Sequence, residues 1–382
     1  MKQAAIEALG SIYKKIPPDY RPGVKRIVFG TLLKAEGVVK GRRVHKARRV
    51  EFLDFEIAHL EPYEFLSPGK NDVLVEMECS TLSPGTERAV LCGLPGARRN
   101  FPYQPGYSSA GTVVKSGIHS GFQVGDRVAG RMKHVSKDTL GPEFLFRIPD
   151  GVSFEEASFM ELGIITLQGI RKAAIRPGEK VAVIGQGIIG QMANRLARLL
   201  SPARIIAVAS SANRRDTALA PGGAHEYVSL REAPSAAESI MADVVIEAVG
   251  TPQAIDIAMK SAKPGGRVVL LGSSRGLVRD IDLWNLAQCR SLDFIGAHIT
   301  AMPENESSAR MWPYRREGEL FLRLLQERRL SVRELVTWRA RPEECNLVYE
   351  ILSHGGDRHV GIVFQWKSGV ELKPGVSVLQ SQ

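Results

Sequence analysis

Between Lys180 and Leu200 the chain reads Lys-Val-Ala-Val-Ile-Gly-Gln-Gly-Ile-Ile-Gly, followed by residues with a helical apolar period. Val181 to Ile184 suffice for a buried parallel strand. Ile188, Ile189, Met192, Leu196, Leu199 and Leu200 then recur as one face of a helix. Strand, G-x-G-x-x-G turn and helix form the dinucleotide fingerprint, and each glycine has a physical job. Gly185 permits the tight turn, Gly187 lets the backbone approach a pyrophosphate, and Gly190 lets the helix pack closely on its strand. Free N–H groups at the helix start, around Ile188 and Ile189, then receive the phosphates. The bland alternative is a Gly-rich turn that binds nothing; correct flanks on both sides favour the cofactor.

The segments around this turn predict an α/β chain. Strands are expected at Ile205 to Val208, Glu226 to Val228, Asp243 to Glu247, Arg267 to Leu271 and Leu292 to Ile295, with helices such as Pro252 to Ala262 between them. That alternation implies a doubly wound parallel sheet with its ligand at the carboxyl ends of the strands. Upstream, from Val44 to Pro149, short strands and Gly/Pro turns indicate a β-rich domain. A helix is expected from Glu155 to Ala174, two more at Gly318 to Arg328 and Glu343 to Ser353, and a closing strand at Val360 to Trp366 that returns to the first domain. The expected division is a basic extension over 1–43, a catalytic β-rich domain over 44–157 completed by 298–382, and a Rossmann domain over 158–297.

The net charge of +10 is concentrated at one end. Residues 1–49 hold 13 Lys/Arg against 3 Asp/Glu, so the rest of the chain is neutral and nucleic-acid binding is not expected. An amphipathic stretch (Ala4, Ala5, Ala8, Leu9, Ile12, Tyr13, Ile16) lies within that extension. It can rest weakly on an anionic membrane surface or pack on its own domain or a partner subunit. No apolar run approaches the ~18 residues of a membrane span, and no secretory signal is evident. Four scattered cysteines signal neither disulfides nor a structural zinc lobe, which points to a reducing cytoplasm.

The second strand of the sheet decides which nucleotide is expected. A site for NAD places a carboxylate at its end, to bond the ribose hydroxyls. Here Ala209 holds that place, followed by Ser210 and Ser211, with Arg214 and Arg215 close behind. Nothing there repels a 2′-phosphate, and guanidinium groups match one bidentately, so NADP(H) is expected. The alternative is a pair of solvated arginines at a helix start.

Four blocks resemble the medium-chain dehydrogenase/reductase superfamily: Pro105-Gly-Tyr-Ser-Ser-Ala-Gly-Thr-Val-Val, Gly121-Phe-Gln-Val-Gly-Asp-Arg-Val-Ala-Gly, Arg176-Pro-Gly-Glu through Gly190, and Asp243-Val-Val-Ile-Glu-Ala-Val-Gly with Lys263-Pro-Gly-Gly-Arg-Val. The resemblance implies a GroES-like catalytic domain split around a Rossmann domain, with the site between them. It implies that Val249, Gly250 and Gly272 touch the ribose and nicotinamide. It also implies a dimer joined edge to edge, which the apolar run Leu292 to Ala297 suits.

Zinc-dependent members carry a Cys where this chain has Pro84, and a His-Glu pair where it has Tyr107 and Ser108. Zinc wants Cys, His or carboxylate ligands, so no metal is expected. The Ser-Pro-Gly-Thr-Glu-Arg block resembles a zinc-free branch that includes bacteriochlorophyllide-type, sugar and cyclitol dehydrogenases. A carbonyl–alcohol interconversion still needs a proton donor beside the substrate oxygen. The candidates are Tyr107 and Glu87, with Thr86, at the relay position of zinc-dependent members, orienting the substrate. His298 is a weaker candidate, and His134 shows no ligand spacing. The expected function is thus zinc-independent, NADP(H)-dependent interconversion of an alcohol and a ketone on a polar or cyclic small molecule (a sugar, cyclitol or secondary metabolite). The alternatives are NADPH-dependent reduction of a conjugated C=C bond, as in quinone and enoyl reductases, and a non-catalytic NADPH-binding protein.

Overall fold

A computed structural model describes residues 30–37, 40–98, 100–279, 282–355 and 358–367. The amphipathic stretch from Ala4 to Ile16 lies outside them. In chain order, β1 (Val44–Asp54) and β2 (Ile57–Leu66) form an antiparallel hairpin. β3 (Val73–Thr81) leads into α1 (Pro84–Leu91), and β4 (Ser109–Ser116), β5 (Arg127–Gly130), β6 (Lys137–Leu140) and β7 (Leu145–Arg147) follow. Next come α2 (Met160–Ala173), β8 (Lys180–Ile184), α3 (Ile188–Arg198), β9 (Arg204–Ala209), β10 (Glu226–Ser229) and β11 (Ala242–Glu247). The chain continues through α4 (Pro252–Ser261), β12 (Ala262–Leu270), β13 (Asp293–Gly296) and α5 (Tyr314–Gln326). It ends on β14 (Val336–Ala340), α6 (Cys345–Ser353) and β15 (Gly361–Gln365).

Two main sheets result. One is parallel, six-stranded, in the order β10-β9-β8-β11-β12-β13. Its central strands β8, β9 and β11 are buried on both faces, which is why they read as mostly apolar runs. Val181 and Val183 of β8 share a cluster with Met192 and Leu196 of α3, whereas Ala182 and Ile184 share another with Ala254 and Ala258 of α4. Successive side chains on one strand thus meet helices on opposite sides, as a doubly wound sheet requires.

The other sheet runs β14-β15-β3-β4-β5-β7, with β6 also paired to β3. The closing strand joins this sheet of the N-terminal β-rich region, as expected: β15 lies antiparallel to β3 with Phe364 opposite Ser80. The helix expected from Glu155 to Ala174 is broken. A short turn over Phe154–Ala157, capped by Ser153 and Glu156, precedes α2. Ser158 ends that turn because its hydroxyl bonds Thr81 Oγ1 at 2.6 Å and the Glu155 carbonyl at 2.8 Å. Such side-chain bonds compete with helix propagation.

Basic residues beside the extension are engaged with the body. Arg42 donates to the Ser67 carbonyl at 2.5 Å, and Arg48 pairs with Glu343 at 2.5 Å. Among the described residues no helix is long and apolar enough to cross a membrane.

Candidate active site in the cleft between the two sheets

Gly185 has φ +91°, and a Cβ there would meet Val249 Cγ2 at 2.3 Å. A Cβ on Gly190 would lie 1.8 Å from the Gly185 carbonyl oxygen, so α3 closes on β8 only because position 190 lacks a side chain. Gly187 caps α3 in extended backbone and no side chain bonds the helix start. Ile188 is buried behind the turn and Ile189 half-buried. Gln186 donates to the Val183 carbonyl at 2.9 Å and accepts from Asn194 at 2.8 Å, which stiffens the loop from inside. A concave backbone with free N–H groups at a helix start fits a nucleotide's pyrophosphate.

The neighbouring strand ends are packed backbone to backbone. Gly250 has φ +87° and its Cβ would fall 2.1 Å from the Ser273 carbonyl oxygen; a Cβ on Gly272 would lie 2.6 Å from the amides of Val249 and Gly250. Glu247, fully buried at the end of β11, accepts from Val249 N at 2.7 Å and Gly250 N at 2.8 Å. Burial raises its pKa against the pull of those two amides.

At the end of β9 the expected arginines diverge. Ser210 is exposed, and the Ser211 carbonyl accepts from the Tyr227 hydroxyl at 2.6 Å. Arg215 lies over the Tyr227 ring and pairs with Glu232 at 2.5 Å. Arg214 instead reaches back over the glycine turn: its Nη1 would sit 3.7 Å from a Cβ on Gly187, while Nη2 donates to the His359 carbonyl at 3.0 Å.

The opposite wall is built at the start of α1. Ser83 precedes that helix, but its hydroxyl accepts from Tyr107 at 2.6 Å and makes no helix cap. Burial pushes the Tyr107 phenol up to about 12, although hydrogen bonds with Ser83 and Thr86 pull it back. Three hydroxyls thus form one cluster. The loop after β12 meets it: the Arg275 guanidinium donates from Nη2 to the Gly85 carbonyl at 3.2 Å.

Glu87, the other acid/base candidate, is placed differently. Its carboxylate is 2% exposed, accepting from the Ser83 amide at 2.8 Å and the Tyr349 hydroxyl at 2.6 Å. His134 Nε2 lies 3.3 Å from both its oxygens, with Nδ1 bonded to Ser80 Oγ at 2.8 Å. Burial pushes this carboxyl up, yet His134, Ser83 and Tyr349 together hold it below its usual value. The group ties α1 to the sheet and to α6. Its apolar neighbour Ala89 is also fully buried.

Sequence reasoning missed three contributors. His134 lacked a ligand spacing, but pairs with Glu87 through the fold. Arg275 sat in an unremarked Ser-Ser-Arg-Gly turn. Glu161, 1% exposed at the start of α2, bonds Arg131 Nε at 3.1 Å and accepts from the Tyr314 hydroxyl. Burial pushes its carboxyl up to about 7, against the pull of Arg131. The available signal was a carboxylate alone in the apolar run Phe159-Met160-Glu161-Leu162. His298 bonds Thr300 Oγ1 at 2.8 Å and is only loosely enclosed.

The donor set does not fit zinc. Pro84, Tyr107 and Ser108 stand at the expected ligand positions; the Ser108 hydroxyl is spent on the Ser158 carbonyl at 2.6 Å. Among the described residues, no three His, Cys, Asp or Glu side chains come together.

Residues 69–152 match the alcohol dehydrogenase GroES-like domain model, and residues 189–312 the zinc-binding dehydrogenase model. Sorbitol dehydrogenase of Bacillus subtilis is 29% identical over 135 residues, 34% of this chain and 38% of that protein. Bovine sorbitol dehydrogenase is 23% identical over 78% of this chain and 90% of that protein. A structure from Sinorhizobium meliloti, named as a zinc-binding dehydrogenase and bound to NADP, superposes with TM-score 0.70 at 22% identity, covering 84% of this chain and 99% of that one.

Proposed function

Since the chain belongs to the medium-chain dehydrogenase/reductase superfamily of NAD(P)-dependent enzymes, we propose that it interconverts an alcohol and a ketone on a polar, polyol-like metabolite. NADP(H) is the nucleotide, no zinc takes part, and Tyr107 exchanges the proton. The observation that carries this reading is the Tyr107–Ser83 bond of 2.6 Å at the cleft, where a metal's ligands would otherwise stand. The sorbitol dehydrogenases among the relatives support a polyol-like substrate.

Bound nicotinamide supplies or accepts the hydride. The protein does the rest. The backbone from Gly185 to Gly190 and the start of α3 hold the pyrophosphate, and Val249, Gly250 and Gly272 shape the floor beneath the reacting ring. A phenol raised to about 12 is fully protonated at neutral pH, so Tyr107 acts as donor to a substrate oxygen more readily than as base. Ser83 and Thr86 orient that phenol and can return a proton to it. Glu87 acts at one remove, by fixing the helix that carries Thr86.

The absence of a carboxylate at Ala209, Ser210 and Ser211 supports a 2′-phosphate, and Arg214, which reaches over the glycine turn, is the nearer of the two expected guanidiniums to that turn. The NADP in the S. meliloti structure supports the same choice. Pairing of two copies along β13 is supported by exposed Phe294 on that edge strand and exposed Leu283 and Trp284 beside it. Four unpaired cysteines suit a reducing, cytoplasmic setting.

A panel of polyols, sugars and ketones, assayed by NADPH oxidation and NADP⁺ reduction, tests the proposal when bound metal is measured in the same sample. Carbinol product from protein without stoichiometric zinc is expected, with NADPH preferred over NADH. A saturated ketone as product would instead favour C=C reduction; NADPH binding without turnover would favour a binding protein.

A further inference from the structure

Arg275 stands in the loop after β12, its amide bonded to the Gly250 carbonyl at 2.8 Å. That loop is pressed against the turn that follows α1, since a Cβ on Gly276 would lie 3.3 Å from Pro95 Cβ. The guanidinium thus bridges the loop after β12 and the start of α1. It is half-buried, and among the described residues its one side-chain bond goes to the Gly85 carbonyl. An arginine has five N–H donors in a rigid fork, so most of this fork has no protein acceptor.

Several other partly buried arginines are neutralised, while Arg195 and Arg290 spread their donors over two or more acceptors. Arg131 faces Glu161, Arg171 faces Glu317, Arg267 faces Glu179 and Arg339 faces Glu155. Arg275 has no carboxylate partner among the described residues. The acids nearest the hydroxyl cluster do not compensate it: Glu87 is sealed with His134, and Glu161 is sealed with Arg131 and Tyr314. Tyr107 lies within the field of Arg275, and burial depresses the guanidinium's pKa against that neighbour.

We propose that Arg275 forms an anion subsite, so that the substrate is an alcohol or ketone carrying a carboxylate or phosphate close to the oxygen that meets Tyr107. This rests on the cleft being the substrate site. A guanidinium fork takes either anion through paired oxygens. Its place beside Gly85 and Thr86 sets the anion a few bonds from the reacting carbon. Neutral polyols would then be weaker substrates than their acidic counterparts.

The test uses the full-length protein with NADPH saturating, which fills the nucleotide's own phosphate sites. Inorganic phosphate and malonate are titrated separately, at constant ionic strength, against wild type, Arg275→Gln and Arg275→Lys, with thermal midpoint as readout. A saturable rise is expected in wild type, smaller in Arg275→Lys and absent in Arg275→Gln. Response to phosphate alone identifies a phosphorylated substrate, and response to malonate alone a carboxylate. With a turnover substrate of that class, KM should rise about tenfold or more in Arg275→Gln, and by clearly more than the KM of a neutral substrate. No response in wild type, or an equal response in Arg275→Gln, overturns the subsite. So does a loss of NADPH affinity in Arg275→Gln, which would assign the residue to the cofactor. NADPH titration of the same wild-type sample separates the failures. No NADPH binding sinks the functional reading, whereas NADPH binding without an anion response sinks only the subsite.

Discussion

The glycine turn at 185–190 and the hydroxyl cluster around Tyr107 are the two halves of the proposed site, but they are built by opposite means. In the turn, function is made by what is missing. Gly190 lets two backbone segments touch, Gly185 adopts φ +91°, and no side chain need be placed. Around Tyr107, function is made by side chains from distant segments. Ser83 and Thr86 come from one helix start, Tyr107 from the approach to β4, Arg275 from the other sheet. A backbone device is local and written in consecutive residues. A side-chain device exists only after the fold has assembled it.

The largest effect expected from breaking this contrast is at Gly190. A Cβ there overlaps the Gly185 carbonyl oxygen at 1.8 Å, so Gly190→Ala must move the helix or the strand. It should cost about 3 kcal/mol of stability or more and weaken NADPH binding roughly 100-fold. Gly187→Ala meets nothing nearer than Arg214 at 3.7 Å, so it should fold normally and lose affinity alone. Thermal melts and nicotinamide fluorescence on both variants check this. Equal stability losses would mean that the glycines are not separable as backbone and ligand devices.

A smaller effect sharpens the side-chain half. Glu161 and Glu87 are both almost fully buried, yet one carboxyl is held near 7 and the other below its usual value. The difference is partners: Glu87 gathers an amide, a hydroxyl and an imidazole, whereas Glu161 has Arg131 and Tyr314. A carboxyl whose folded pKa is raised binds its proton more tightly in the folded state. Wild type therefore loses stability as pH rises from the unfolded value near 4.5 to about 7. Glu161→Gln has no such loss, and should gain on wild type by up to about 3 kcal/mol between pH 4 and pH 8. Denaturant melts at the two pH values read this; a constant difference would show that folding leaves the Glu161 carboxyl at its ordinary pKa.

The same contrast explains what could be read from the residues alone. The central strands β8, β9 and β11 were legible because both faces are buried and the runs are mostly apolar; β10 and β13, half-buried or exposed, were legible only from their place in the strand–helix alternation. The β1–β2 hairpin was read only as short strands. Its turn at Phe55 and Glu56, with Glu56 at φ +59°, carries neither Gly nor Asn to announce it. Tyr107 and Ser108 were legible as departures from the His-Glu pair of zinc-dependent members. The Glu87–His134–Tyr349 knot was not, because its members lie 47 and 262 residues apart and meet only through the β3–β15 pairing and α6. Arg214 and Arg215 read as a matched pair, but backbone direction at the start of the following helix sends them to different places. Spacing along a chain says little about arginine heads several bonds from the backbone.

In the proposed reaction a tyrosine hydroxyl, held by two others, does the work a metal does in zinc-dependent members. The most direct measurement of that role is kcat for Tyr107→Phe beside the NADPH dissociation constant and zinc content of the same preparation. The account predicts a fall in kcat of about 100-fold, within the range of a lost proton donor, with the dissociation constant within twofold of wild type and no zinc in either protein. Full activity in Tyr107→Phe, or activity that rises and falls with bound zinc, would contradict it.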